Sequence, residues 1–453
     1  MSGRIIIQNG AAVLGAEIKR ADICLEDGKI SRIADACSLK EGDIIDAGDL
    51  LVLPGGIDPH VHFQLPFDGG LTSADDFYGG SRAALAGGTT TVIDFITPLP
   101  GQDLFEAAIE RKIQAAEACC DTALHASVVR GQKNIRDGLK KCRDELGITS
   151  CKIYLAYQKN IGIDDSTALK VFQAAAELGI RVLVHCEWGE MVDFNRKRFP
   201  AEGKTAPVFH AKSRPPYCEQ YAISRAARMA EETGASCYVV HVSSSDGMGE
   251  VLKARQRGAN LFAETCPHFL LLEDSLYEGD EGGLYVMSPP LRSASHKAAM
   301  WEYLRAGLID TIGSDHCPFM KEQKLNFDDF TQIPNGINGV RERLPLLFGP
   351  AVSERGISPV IFANLTSTNQ AKLFGLYPQK GLIAAGSDAD LVLLKQGEEE
   401  EVSSWENYSA SDYNCYGGQK AASFKYVIKS GEIVCRDGIL NGGLKKGRYL
   451  SRV

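Results

Sequence analysis

The sequence predicts an α/β fold, a (β/α)8 TIM barrel joined to a second, small β-sandwich domain built from both chain termini. Three observations predict it. Eight apolar runs of strand length alternate with helical patterns through the middle of the chain, hairpin texture is confined to the two ends, and several apolar runs finish in a polar side chain.

Residues 4–8, 12–14, 21–25 and 30–33 read as short strands, with Glu26-Asp27-Gly28-Lys29 as the turn, because an Asp-Gly pair tolerates the positive φ of a two-residue hairpin. The same texture returns after residue 377, with strands at 391–394, 426–428 and 433–435 and a turn at Lys429-Ser430-Gly431-Glu432. Neither end has enough strand to stand alone, so 1–53 plus 378–453 are expected to form one discontinuous sandwich and 54–377 the barrel. Barrel strands are expected at 51–57, 89–95, 124–129, 150–155, 181–185, 236–242, 260–266 and 310–314. Helices are expected at 74–86, 103–118, 166–178, 219–232 and 295–306, with Gly87, Gly179, Gly234 and Gly307 as C-terminal caps. Strands covered on both faces read as continuous apolar runs, as these do. The competing architecture is a doubly wound open sheet, but Gly247-Met248-Gly249 lacks the third glycine of its G-x-G-x-x-G turn.

A chain of 453 residues with 44% hydrophobic content can bury a large core. Its formal net charge of −9 and lack of a basic stripe exclude a nucleic-acid partner. No apolar stretch reaches membrane-spanning length and Ile5-Ile6-Ile7 is too short for a secretory leader, so a cytoplasmic protein without a membrane partner is expected. Thirteen cysteines without a C-x-x-C pair, scattered through apolar strands, read as reduced, buried thiols.

Chemistry gathers at the strand ends. In Gly55-Gly56-Ile57-Asp58-Pro59-His60-Val61-His62-Phe63 the two histidines are two residues apart on a strand and therefore share a face. Lys152, His185, His241 and Asp315 stand at or near the ends of later strands, and in a barrel those ends converge on one mouth. Each alone reads more simply as a hydrogen-bonded core residue; the recurrence argues for a cluster. Nitrogen and oxygen donors without thiolates suit Zn2+, with Mn2+ or Fe2+ as alternatives. Lys152 is the odd member, since an ammonium has no lone pair. Burial lowers a lysine pKa, and the neutral amine can take up CO2 as a carbamate, an anion able to bridge two metals.

These motifs, with Cys151-Lys152-Ile153-Tyr154-Leu155-Ala156-Tyr157, Val184-His185-Cys186-Glu187, Val240-His241-Val242-Ser243, Ser288-Pro289-Pro290-Leu291-Arg292 and Ser314-Asp315-His316-Cys317-Pro318-Phe319, resemble the cyclic amidohydrolases, specifically the dihydropyrimidinase and D-hydantoinase group. The resemblance spans nearly the whole chain. It implies one metal held by His60, His62, carboxylated Lys152 and Asp315, a second by Lys152, His185 and His241, and a bridging hydroxide that opens the ring of a dihydropyrimidine or hydantoin to an N-carbamoyl amino acid. It also implies that Asp315 shuttles the proton, that Tyr157 donates to the carbonyl oxygen, that Ser288 and Asn335 hold the cyclic imide through backbone groups, and that the protein is a homotetramer. His125, His210, His268, His296 and His316 are left as core or surface histidines, with His316 a candidate support for its ligand neighbour.

Departures from the group's pattern are Trp188 where Asn is usual, Asn338 where Pro is usual and Arg341 where Glu is usual. Gln64, where dihydroorotases carry Arg, argues against that activity. An allantoinase-like cyclic ureide hydrolase and a non-catalytic scaffold homologue are the alternatives. Substrate shape is expected to depend on loops 64–71, 96–101 and 157–162.

Overall fold

The computed structural model describes residues 3–67 and 70–452, so two residues of the 64–71 loop, Asp68 and Gly69, lie outside the described residues. Eight parallel strands, Gly56–Val61, Thr89–Ile96, Asp121–Ser127, Ser150–Tyr154, Arg181–His185, Cys237–Val239, Leu261–Thr265 and Thr311–Ile312, pair in sequence order. A parallel bridge between Val61 and His316, with the His62 amide donating to the His316 carbonyl at 2.9 Å, brings the last strand's exit back to the first. The expected (β/α)8 barrel is therefore the observed one.

Alternation along the strands builds two layers. Ile57, Ile93, Phe95, Leu183, Tyr238 and Val240 form an inner cluster with Phe374 and Leu376, while Val92, Leu124, Ile153, Val182, Val184 and Val239 belong to the larger core shared with the helices. Three of the helices begin at acidic N-caps: Asp76 accepts from the Gly79 amide, Asp103 from Phe105 and Glu106, and Asp164 from Thr167. Gly179 and Gly234 end theirs in the left-handed region, at φ of 66° and 73°.

Strands from both termini join in one nine-stranded mixed sheet around a separate core that includes Ile7, Ile23, Leu25, Val52, Leu391 and Ile428. The Asp27-Gly28 turn has φ of 50° and 77°, as its hairpin requires. One expected strand divides between the two sheets. Leu51–Pro54 pairs with Leu391–Glu401 in the terminal sheet, and Gly56–Val61 opens the barrel, because the Gly55 amide turns away to the Asp390 carbonyl at 2.8 Å.

A buried ion network fastens the terminal sheet to the barrel. Lys380 Nζ lies 2.6 Å from Asp121, 3.0 Å from Asp388 and 2.5 Å from Asp390, while Arg448 reaches Asp121 and Asp388 at 2.6 Å each. Removing one partner strands the others in a low-dielectric interior, so Lys380→Met is expected to destabilise the fold by about 3–5 kcal/mol. Burial alone would raise the Asp388 pKa, yet Lys380 and its neighbours bring it down to about 2. Such a carboxylate stabilises the fold above its unfolded pKa of about 4 and loses that contribution as pH falls towards 2. Urea midpoints should accordingly drop through that window in the wild type and much less in Lys380→Met.

All thirteen cysteines are unpaired, twelve of them buried and Cys37 exposed. Among the described residues no helix is long and apolar enough to cross a membrane.

Candidate active site

The structure brings all six expected donors together at the barrel mouth. Lys152 Nζ lies 2.8 Å from His60 Nε2, and Asp315 Oδ1 lies 3.0 Å from His60 Nε2 and 3.2 Å from His62 Nε2. His185 Nδ1 faces His241 Nε2 at 3.0 Å, and the His60 and His241 rings are 5.3 Å apart. One ligand atom from each of His60, His241 and Asp315 fits within 4.8 Å of the others. Two ligands at the 2.0–2.1 Å of a Zn–N bond subtend a tetrahedral edge of roughly 3.3 Å, so this donor set fits divalent ions.

Burial sets the charge states. It pushes His62 down to about 3, lowers His185 below its usual value and, with His185 beside it, takes His241 well below the usual histidine range, which leaves three imidazoles with lone pairs at neutral pH. Burial also brings Lys152 down to about 8, against the pull of Asp315 and Glu264. Burial would raise Asp315, but His60 and the hydrogen bonds from His60 and His62 hold it well below the usual carboxylate range. His60 moves upward, because Asp315 and Glu264 outweigh burial and Lys152.

The ligands are oriented by carboxylates to which the sequence reading assigned no role. Glu264, fully buried, accepts from His60 Nδ1 at 2.7 Å, from the His241 amide at 3.0 Å and from the Tyr238 hydroxyl at 2.8 Å. This turns His60 Nε2 towards Lys152 and Asp315. Gly313 makes room: a Cβ there would meet Glu264 Oε2 at 2.6 Å and His60 Cβ at 3.0 Å. Glu187 does for His185 what Glu264 does for His60, accepting from Nε2 at 2.7 Å and freeing Nδ1 for the cluster; burial opposes the charge on Glu187, yet Arg214 lowers its pKa to about 2. Asp58 ties the amides of His60 and Ser314 at 3.1 and 3.0 Å. A buried carboxylate inside an apolar strand, as in Leu261-Phe262-Ala263-Glu264, was the available signal.

Backbone strain collects at the same place. Tyr157, His241 and Asp315 have φ of 59°, 42° and 50°, a left-handed conformation that costs of order 1 kcal/mol or more for a side-chain-bearing residue. Each sits where the chain leaves a strand and must aim its side chain inwards.

Tyr157 stands beside the cluster, its ring 5.0 Å from that of His185. Burial raises its pKa against the pull of Arg214, so it keeps its proton at neutral pH. The Ser288 hydroxyl and Asn335 Oδ1 are buried without hydrogen-bond partners among the described residues. Lys324, fully buried, donates to the carbonyls of Val286, Pro334 and Gly336 at 2.6, 2.7 and 3.0 Å and so locks together the two segments that carry Ser288 and Asn335.

The amidohydrolase family model matches residues 51–434. The chain belongs to the amidohydrolase family. It is 40% identical over 454 residues to the D-hydantoinase of Geobacillus stearothermophilus, covering 99% of this chain and 96% of the relative. It is 38% identical over 459 residues to the dihydropyrimidinase of Arabidopsis thaliana, covering 99% of this chain and 85% of the relative. The crystal structure of the Brevibacillus agri dihydropyrimidinase superposes with a TM-score of 0.95 at 36% identity, covering 99% of this chain and 98% of that one. Membership of the D-hydantoinase and dihydropyrimidinase group, and with it a cyclic amidohydrolase, follows as the motifs predict.

The departures lie around the amidohydrolase site, outside its donor cluster. Trp188 packs on Tyr221 with ring centroids 4.6 Å apart, Asn338 accepts from the Cys415 amide at 3.1 Å, and the Arg341 guanidinium lies 4.5 Å from the Trp405 ring. The remaining histidines are placed elsewhere. His125 is satisfied by Ser150 and the Pro59 carbonyl, His210 bonds the Met287 carbonyl, His268 packs on Phe269, and His296 bonds Ser245. His316 turns its ring to Asp75 at 2.8 Å, and what it offers the metal side is its carbonyl to the His62 amide.

Proposed function

We propose that the protein hydrolyses the ring amide of dihydropyrimidines or hydantoins, converting 5,6-dihydrouracil or a 5-substituted hydantoin to the N-carbamoyl amino acid. The observation that carries this is the convergence of three neutral imidazoles, His60, an amine with lowered pKa and a carboxylate within hydrogen-bond distance of one another beside Tyr157. His60, His62, Lys152 and Asp315 would hold one divalent ion, and Lys152, His185 and His241 a second, with Zn2+ the best match and Mn2+ or Fe2+ as alternatives. When bound, such a pair supplies an acidified water as nucleophile near neutral pH and polarises the amide carbonyl. Carboxylation of Lys152 would turn a donorless ammonium into a bridging anion, and its lowered pKa favours the amine that this needs.

The chain's own groups do the rest. Asp315 takes the proton of the attacking water and returns it to the leaving ring nitrogen as the C–N bond breaks. Tyr157, held protonated by burial, donates to the oxygen on which negative charge develops. Backbone groups of Ser288 and Asn335 hold the ring, in segments fixed by Lys324. Tyr157→Phe is therefore expected to lower kcat by about 10²–10³ with a smaller change in KM, measured by steady-state kinetics. The barrel 54–377 would carry the chemistry with 1–53 plus 378–453 as its satellite, in a cytoplasmic homotetramer.

A hydrolysis panel of dihydrouracil, hydantoin, 5-substituted hydantoins, allantoin and dihydroorotate tests the reading. Turnover of dihydrouracil or hydantoins is the expected result. Activity confined to allantoin would move the chain to the ureide hydrolases, and a folded, inert protein would make it a scaffold.

A further inference from the structure

Resting on the ring-amide reading above, we propose that the cleft beside the donor cluster is built for an anion, so that preferred substrates are cyclic amides bearing a carboxylate on their side chain. The cleft, about 340 Å3, opens at Tyr157 and is lined by Lys159, Arg196, Lys197 and Arg214 against a single acid, Asp193. Four cations to one acid is a local inversion in a chain whose net charge is −9.

Unmet hydrogen-bonding capacity points the same way. Arg214 is fully buried; Nη1 is paired with Glu187, but Nε has no partner among the described residues. Arg196 donates from Nη2 to the Thr331 carbonyl at 2.6 Å, and its buried Nη1 likewise has no partner. Buried donors left unmatched are costly, and both belong to side chains that line the cleft, so a ligand seated there that drew the two guanidiniums towards it would match them. Burial and the like charge of Arg214 bring Arg196 down to about 10, with Tyr157, Asp193 and Asp329 offsetting them only in part. An anion lodged between the two guanidiniums would satisfy the free donors and relieve that repulsion. A carboxylate matches the planar fork of a guanidinium with two parallel hydrogen bonds, and the exposed Lys159 and Lys197 at the rim favour its approach. Gln64, beside the H-x-H pair, offers no such grip; this wall is supplied by the helix Gly189–Ala201 and by Arg214.

The test compares two probes of equal size, hydantoin-5-acetic acid and its neutral amide, with unsubstituted hydantoin as reference. For the purified protein kcat/KM for the acid should exceed that for the amide by on the order of 10- to 100-fold, the range of a charge-assisted hydrogen bond to a buried arginine. The preference should shrink as ionic strength rises. Arg196→Met should collapse the ratio towards unity and Arg196→Lys should restore part of it. Hydrolysis of hydantoin and the amide with the acid disfavoured, or a ratio unmoved in Arg196→Met, overturns the anion site and leaves the ring-amide reading standing. Failure to hydrolyse any of the three, or dihydrouracil, overturns both.

Discussion

Lys152→Ala is expected to lose at least about 10³ in kcat/KM, because on the proposed mechanism Lys152, once carboxylated, would be the bridge between the two ions. Nζ sits 2.8 Å from His60 Nε2 and 4.1 Å from the centre of the Phe95 ring, and the residue is buried. Lys152→Arg should fare no better, since a guanidinium stays charged and does not capture CO2. Millimolar formate or acetate should restore part of the activity of Lys152→Ala, because a small carboxylate can stand in for the carbamate. Retention of more than a tenth of the wild-type rate would remove Lys152 from the mechanism.

The second large effect is expected at Asp315. Asn keeps the shape and tolerates the left-handed backbone that Asp315 adopts at φ 50°, so Asp315→Asn isolates the charge and the proton-accepting oxygen from the fold. Activity should fall by about 10²–10⁴ while the urea midpoint changes little, and it should not recover with added metal. A variant that recovers on metal addition would confine Asp315 to ligation and leave the proton without its carrier.

Much of this site was legible because its donors lie on, or within three residues past, strands whose ends a parallel barrel must bring together; His60 and His62 share a face by periodicity alone, and His185 closes its strand. The hairpin at Asp27-Gly28 was legible for an equally local reason, the positive φ that both residues adopt. What stayed hidden depends on partners distant in sequence. Asp121 starts a barrel strand although a charge reads as a turn, and it is tolerated there because Lys380, Lys429 and Arg448, all more than 250 residues later, meet it. Glu264 shows in the sequence only as a carboxylate within an apolar strand, and its partner, His60, lies 204 residues earlier. The split of 51–57 between two sheets turns on the Gly55 amide finding Asp390, which no local pattern announces. The cationic cleft joins Arg196 on one helix to Arg214 after another and to Asn335 on a far loop, a meeting with no periodic signature.

Elemental analysis of the purified, dialysed protein addresses the central claim most directly. Caging by His60, His62, Lys152, His185, His241 and Asp315 predicts about two divalent ions per chain, falling towards one or none in Lys152→Ala. A folded wild-type protein that carries none, and takes up none when Zn2+ or Mn2+ is supplied, would contradict it.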